Sequence, residues 1–156
     1  MPNWCMVDIE IVGPTAEMEK LAAVVNSEED PGFLQTICPN PTGYWDYVWS
    51  VENWGTKWDI CEASAEVERL DDTKSRLTIN TETAWGPPVP ALDTYQENNP
   101  DTSVRCCYYE PGMDFGGIYE DRQDHCLEHI YEIDWDAPDK IAIELDTKFN
   151  ISEEPV

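Results

Sequence analysis

Asn53-Trp54-Gly55-Thr56-Lys57-Trp58-Asp59 sets two tryptophans around a glycine, with the one lysine that occurs between Lys20 and Lys74. Two indoles this close to a glycine imply a tight approach of backbone to ring, because Gly55 accepts a positive φ and leaves space that a side chain would fill. The stretch reads as a long-range packing joint. On its C-terminal side, Trp58 to Arg69 reads as a strand with Cys61, Ala63, Ala65 and Val67 on one face and Glu62, Glu66 and Glu68 on the other. Trp58 and Ile60 are out of phase with that apolar set, so a bulge is expected near Ile60. Asp71-Asp72-Thr73-Lys74 makes a turn, and Leu77, Ile79, Thr81, Thr83 and Trp85 alternate as the returning strand of a hairpin.

On the N-terminal side, Pro39 and Pro41 interrupt any regular element while Tyr44, Trp45, Tyr47, Trp49 and Trp54 concentrate aromatic rings. Residues 33–57 read as an irregular insertion that lays its rings on the sheet. Earlier, Val7, Ile9 and Ile11 alternate with Asp8 and Glu10, a half-buried strand whose polar face meets water or an edge. Pro14 then opens a helix over 14–26, with Met18, Leu21, Ala22 and Val25 on one stripe. After Gly86-Pro87-Pro88, a helix over 88–97 uses Val89, Leu92 and Tyr95, and Ser103 to Tyr109 is a fourth strand.

The order strand-helix-strand-strand-helix-strand predicts an α+β ferredoxin-like sandwich, βαββαβ, an antiparallel sheet with two helices on one face. Ile118 to Glu120 and Leu127 to Ile133 form an added hairpin within residues 117–134, turning at Asp121-Arg122-Gln123-Asp124. The domain is expected over residues 1–134, with 135–156 as a C-terminal appendage. In that tail Asp136 reads as a helix cap, with Ile141, Leu145 and Phe149 on one stripe; a strand through Ile141, Ile143 and Leu145 is the alternative.

Three further stretches accompany the Asn53 to Asp59 motif: Met1-Pro2-Asn3-Trp4-Cys5, Thr83-Ala84-Trp85-Gly86-Pro87-Pro88, and Tyr109-Glu110-Pro111-Gly112-Met113-Asp114-Phe115-Gly116-Gly117. In this order, over roughly residues 1–134, the four resemble the YubB-like family of small phage and plasmid proteins. The resemblance implies a ferredoxin-like domain and a mobile-element origin. It makes Asn53, Trp54, Gly55, Thr56, Lys57, Trp58, Asp59 and Trp85 structural motif residues, and it supplies no catalytic residue to carry over.

Composition bounds what the chain can bind. With 156 residues it is about one domain, and 33 Asp and Glu against 9 Lys and Arg give a formal charge of -24. Apolar residues make up 41% of the chain, so the charge is laid over a core rather than marking disorder. The balance disfavours a nucleic acid or an anionic membrane held directly by basic residues. The first fifteen residues lack a basic start and carry Asp8 and Glu10, so no secretory signal is expected and the cytoplasm is the expected compartment. No run approaches ~20 apolar residues, the length a spanning helix needs. Of the six cysteines, adjacent Cys106 and Cys107 point to opposite faces of a strand, which speaks for packing rather than a disulfide framework.

Candidate chemistry is sparse. His125-Cys126-Leu127-Glu128-His129 would share a metal on a helix, but the segment reads as strand, where His125 and His129 lie roughly 13 Å apart. Cys5 and Cys38 lack a base and an electropositive setting, Asp8 and Glu10 are one acid pair among 33 acids, and Gly112 to Gly117 carries Asp114 where a phosphate loop would need donors. No catalytic residue, metal or cofactor is expected. From Glu110 to Asp139, ten acids face one base, Arg122. Glu120, Asp121, Asp124, Glu128, Glu132, Asp134 and Asp136, interleaved with Tyr119 and Tyr131, are the expected partner-binding residues. Regular negative charge suits a groove built for phosphates. Together with the phage or plasmid origin that the resemblance implies, this makes the expected function that of an acidic, non-enzymatic protein that binds a host nucleic-acid-binding or defence enzyme and inhibits it. The alternatives are a small metal-binding protein or enzyme using His125 and His129, and a structural accessory phage protein.

Overall fold

The structure, a computed structural model, describes residues 3–153. Met1 and Pro2 of the opening motif, and residues 154–156 of the expected appendage, lie outside the described residues. Six strands form one antiparallel sheet: β1 (Trp4–Pro14), β2 (Cys61–Arg69), β3 (Lys74–Ala84), β4 (Ser103–Glu110), β5 (Phe115–Glu120) and β6 (Gln123–Glu128). Their order across the sheet is β2-β3-β1-β4-β5-β6, so β2 and β6 are the edges. The helices are α1 (Thr15–Ser27), α2 (Phe33–Ile37), α3 (Tyr47–Asn53), α4 (Val89–Asn98) and α5 (Lys140–Phe149).

Alternation along β1 sends Cys5, Val7, Ile9 and Ile11 into the larger core, where Leu77 and Ile79 of β3 and Val104, Cys106 and Tyr108 of β4 join them. Helices α1 and α4 cover this face through Met18, Leu21, Val25, Leu92 and Tyr95. Phe33, Leu34 and Ile37 of α2 complete the cover. The other face is also buried. Cys107 and Tyr109 of β4 and Ile118 of β5 form a second core with Ile130 and Leu145, against which Met6, Ile141 and Phe149 pack. Thus α5 lies over β4 and β5 on the face opposite α1.

The expected ferredoxin-like sandwich, βαββαβ with two helices on one face, is overturned. The sheet has six strands, five α-helices occur among the described residues, and both faces carry helices. The departure shows at Asp8 and Glu10, whose face the alternation expects to meet water or an edge. Lys148 of α5 reaches Asp8 at 3.0 Å and Glu10 at 3.6 Å, so paired charge is covered there rather than solvated.

Smaller corrections share a cause, local caps and turns that periodicity does not register. The insertion 33–57 contains α2 and α3. The carboxylate of Asp59 accepts the N–H groups of Leu34 (2.8 Å) and Gln35 (3.1 Å), and Asp46 accepts that of Trp49. In β2, Cys61 pairs with Glu82 and Ser64 with Asn80, three steps against two, so the bulge sits at Glu62-Ala63 and Cys61 is in phase with Ser64. β3 ends at Ala84, and Trp85 turns outward at φ +76. The added hairpin turns on two residues, Asp121 and Arg122, both at positive φ, which fits the right-handed twist of its strands. Its second strand stops at Glu128, because His129 adopts φ +56 and Ile130–Glu132 form a 3-10 turn. The tail is the helix α5, capped by Asp139, which accepts the Ala142 N–H at 2.8 Å, and not by Asp136.

Candidate functional site

The Asn53 to Asp59 joint is built from the residues that the sequence marks. Trp54 is buried, donates its indole N–H to the Cys38 carbonyl at 2.7 Å, and meets Trp49 edge-on with ring centres 5.5 Å apart. Gly55 stands at φ +83; a Cβ there would lie 2.5 Å from Pro90 Cδ and 2.8 Å from the Pro87 carbonyl oxygen. No L side chain fits that approach. Buried Thr56 donates to the Ala84 carbonyl at 2.8 Å, tying the joint to the end of β3. Asn53 bonds back to the Trp49 carbonyl. Lys57 does not pair with Asp59; its ammonium stands 4.4 Å over the Trp58 ring, which is partly exposed and packs near Trp4. Burial pushes the Asp59 carboxyl above its ordinary range; the N–H bonds from Leu34, Gln35 and Ile60 oppose this, and the charge of Asp30 adds to it.

Beside this joint, α2, α3 and the segment between them enclose a cleft of ≈ 530 Å³ lined by Asp30, Gly32, Gln35, Asn40, Tyr44, Trp45, Ser50, Trp54 and Asp59 among others. Apart from the aromatics and Asp59, these residues carry no signal in the sequence. Ser50 and Asn40 are ordinary helix and loop residues in sequence, and only their shared burial marks them.

The acidic set is distributed unevenly. Glu120, Asp121, Asp124, Glu128, Glu132, Asp134 and Asp136 are all exposed, from the end of β5 through the turn and β6 into the chain that follows. Four of them serve the fold. Asp121 accepts from Gln96 Nε2 (3.0 Å) and from Ser103 Oγ (3.2 Å), Asp124 accepts the Tyr108 hydroxyl at 2.6 Å, and Glu120 lies 3.6 Å from Arg105. Asp134 holds a turn by accepting the Asp136 N–H. Glu128, Glu132 and Asp136 enter no ion pair among the described residues. Glu110, one of the ten acids counted above, is buried and accepts the Gly112 and Met113 N–H groups, each at 2.7 Å.

Of the interleaved tyrosines, Tyr131 is exposed, whereas Tyr119 is buried and donates to Asp93 at 3.1 Å. Its phenol is pushed above the ordinary range by burial and by that bond. Tyr108 crosses Gly117 to reach Asp124; a Cβ at Gly117 would lie 2.5 Å from its hydroxyl.

His125 lies on β6 opposite Ile118, and His129 begins the 3-10 turn; both are exposed. Among the described residues no three His, Cys, Asp or Glu side chains gather to hold a metal. All six thiols are free and pushed above their ordinary value, chiefly by burial, Cys107 up to about 11. A nucleophilic cysteine needs the opposite shift. No helix among the described residues is long and apolar enough to cross a membrane. No family model matches the chain, and no curated protein matches it significantly.

Proposed function

We propose that the chain is a non-enzymatic interaction protein of a phage or plasmid, acting in the host cytoplasm. In this reading its acidic surface holds a nucleic-acid-binding or defence enzyme and inhibits it by standing in for a phosphate backbone. The observation that supports this is where the few bases go. Arg105 bridges Glu120 and Glu144, Lys148 bridges Asp8 and Glu10, and Arg122 holds Asp93 at 3.1 Å and Glu97 at 3.7 Å. Arg76 pairs with Glu68 across the β2–β3 hairpin. Four of the nine bases are thus used to tie elements of the fold together. Among the described residues, Glu128 on the edge strand β6 and Glu132 and Asp136 in the chain after it are left without a cation, in a chain of net charge -24. Exposed, uncompensated charge raises the encounter rate with a basic surface and is screened by salt.

The test is capture from host lysate at low ionic strength, with the recovered protein purified and its binding measured directly. The reading expects a basic, nucleic-acid-binding protein that duplex DNA displaces. Its binding should be lost when Glu128, Glu132 and Asp136 are all changed to lysine, with the melting temperature kept, since exposed charges contribute little to stability. Equal binding by the triple variant refutes the reading at this edge.

A further inference from the structure

We propose that the cleft beside Trp54 is a binding site for an organic cation, a guanidinium or alkylammonium group carried on an apolar stem. It shares no residue with the acidic edge and does not depend on the inhibitor reading. The first observation is Ser50. A serine inside a helix ordinarily returns its hydroxyl to a carbonyl one turn back or shows it to water. Ser50 is 1% exposed, lines the cleft, and its Oγ has no hydrogen-bond partner. A buried hydroxyl left unpaired is unfavourable, and a ligand in the cleft is what would pair it.

The second observation is what else the cleft offers. The Asn40 amide is taken up by its own wall: Nδ2 donates to the Tyr44 carbonyl at 2.8 Å, and Oδ1 accepts from the Thr42 N–H and hydroxyl. Asp59 Oδ1 already receives Leu34 and Ile60, but Oδ2 receives only Gln35. Asp30 is exposed at the mouth with no bonded partner among the described residues, and no Lys or Arg lines the cleft. Of the groups left free, the Asp30 carboxylate and Asp59 Oδ2 can only accept, while the Ser50 and Tyr44 hydroxyls can accept or donate, so the carboxylates favour a ligand that brings donors and positive charge, and anions are repelled.

The third is the aromatic wall. Tyr44 and Trp45 are 81% and 55% exposed, and Trp45 is fixed by its indole N–H bond to the Lys57 carbonyl at 2.8 Å. Aromatic faces held open beside carboxylates attract guanidinium and ammonium groups. A volume of ≈ 530 Å³ lies in the range of small-molecule sites and accommodates an alkyl stem as well as the charged head.

The test is calorimetric titration of the whole chain with agmatine, with argininamide and with N-acetyl-arginine methylamide, using citrullinamide as the neutral isostere. Binding of the guanidinium compounds with dissociation constants of about 1 mM or tighter, and none of citrullinamide, is the expected result. Asp30→Asn, Trp45→Ala and Ser50→Ala should each weaken it, the serine change by about tenfold. Ser50→Ala should melt at or above the parent temperature, because it removes an unpaired hydroxyl; a serine with a merely structural role would give lowered melting instead. If agmatine binds and the capped arginine does not, the cation is a free small molecule. If the capped arginine binds as well, it is a side chain displayed by a protein. The proposal is overturned if no guanidinium compound binds, if citrullinamide binds equally, or if none of the three substitutions changes affinity.

Discussion

Trp54→Ala removes the ring at the centre of the joint. Its side chain is 5% exposed, it packs on Trp49, and its indole N–H is bonded to the Cys38 carbonyl. Truncating a buried tryptophan costs about 3–5 kcal/mol. For a chain of this length each kcal/mol moves the melting temperature by about 2–4 °C, so a fall of roughly 6–20 °C is expected. Trp58, read from sequence as its equal, is 38% exposed and loses less on truncation: its cation–π contact with Lys57 and its ring contact with Trp4. Those contacts are worth about 1–2 kcal/mol together. Trp54→Phe keeps most of the apolar bulk but leaves the Cys38 carbonyl unpaired, a loss of about 1–3 kcal/mol. Urea titration of the three variants, followed by far-ultraviolet circular dichroism, gives the ranking directly. If Trp58→Ala proves as destabilising as Trp54→Ala, the joint is not organised around the buried indole and the reasoning fails.

Gly55→Ala places a Cβ against the Pro87 carbonyl at a left-handed φ, so it should cost about 2 kcal/mol or more. Gly43→Ala, at φ +75 with nothing within 4 Å, should cost only the backbone strain of about 1–2 kcal/mol. Thermal melts that rank the two in reverse would contradict the close approach at Gly55. Lys148→Met leaves the buried Asp8 carboxylate uncompensated and should cost about 1–3 kcal/mol by chemical denaturation. Burial pulls the Lys148 ammonium down, but the Asp8 hydrogen bond and the charges of Asp8 and Glu10 outweigh it and hold the group above its ordinary 10.5. A raised lysine stabilises the fold fully below that ordinary value. The parent should therefore lose this stability as pH climbs through and beyond about 10.5, a loss absent from the variant. Self-repulsion at a charge of -24 predicts a melting temperature that rises with sodium chloride from 10 mM to about 1 M, as the screening length falls from about 30 Å to about 3 Å. A falling one would mean that the internal ion pairs dominate.

Much of one face was legible. The spacing of Met18, Leu21, Ala22 and Val25, and the alternation of Leu77, Ile79, Thr81 and Thr83, report burial against a single neighbour, and all eight are buried. The second face was hidden because two of the residues β1 turns toward it, buried Asp8 and half-buried Glu10, are charged. Asp8 and Glu10 look solvated until Lys148, some 140 residues along the chain, is seen to lie over them. Short helices were invisible for a related reason: α2 is five residues long and depends on a carboxylate at Asp59 for its first donors. At the acidic edge, exposure of the carboxylates followed from their number. The inward turn of Tyr119 did not, because a tyrosine on an alternating strand suits either face until its hydroxyl finds Asp93. The cleft beside Trp54 was legible only in its aromatics and Asp59, since the rest of its lining is marked by nothing until the fold brings it together.

The central claim is that uncompensated carboxylates at the β6 edge and the chain after it hold a basic partner. The most direct measurement is the dissociation constant of the captured partner as a function of salt, for the parent and for the Glu128→Lys, Glu132→Lys, Asp136→Lys variant. The account predicts steep weakening of the parent with rising salt, competition by duplex DNA, and no measurable binding by the variant at any salt. An affinity that is flat in salt, or shared equally by the variant, would contradict it.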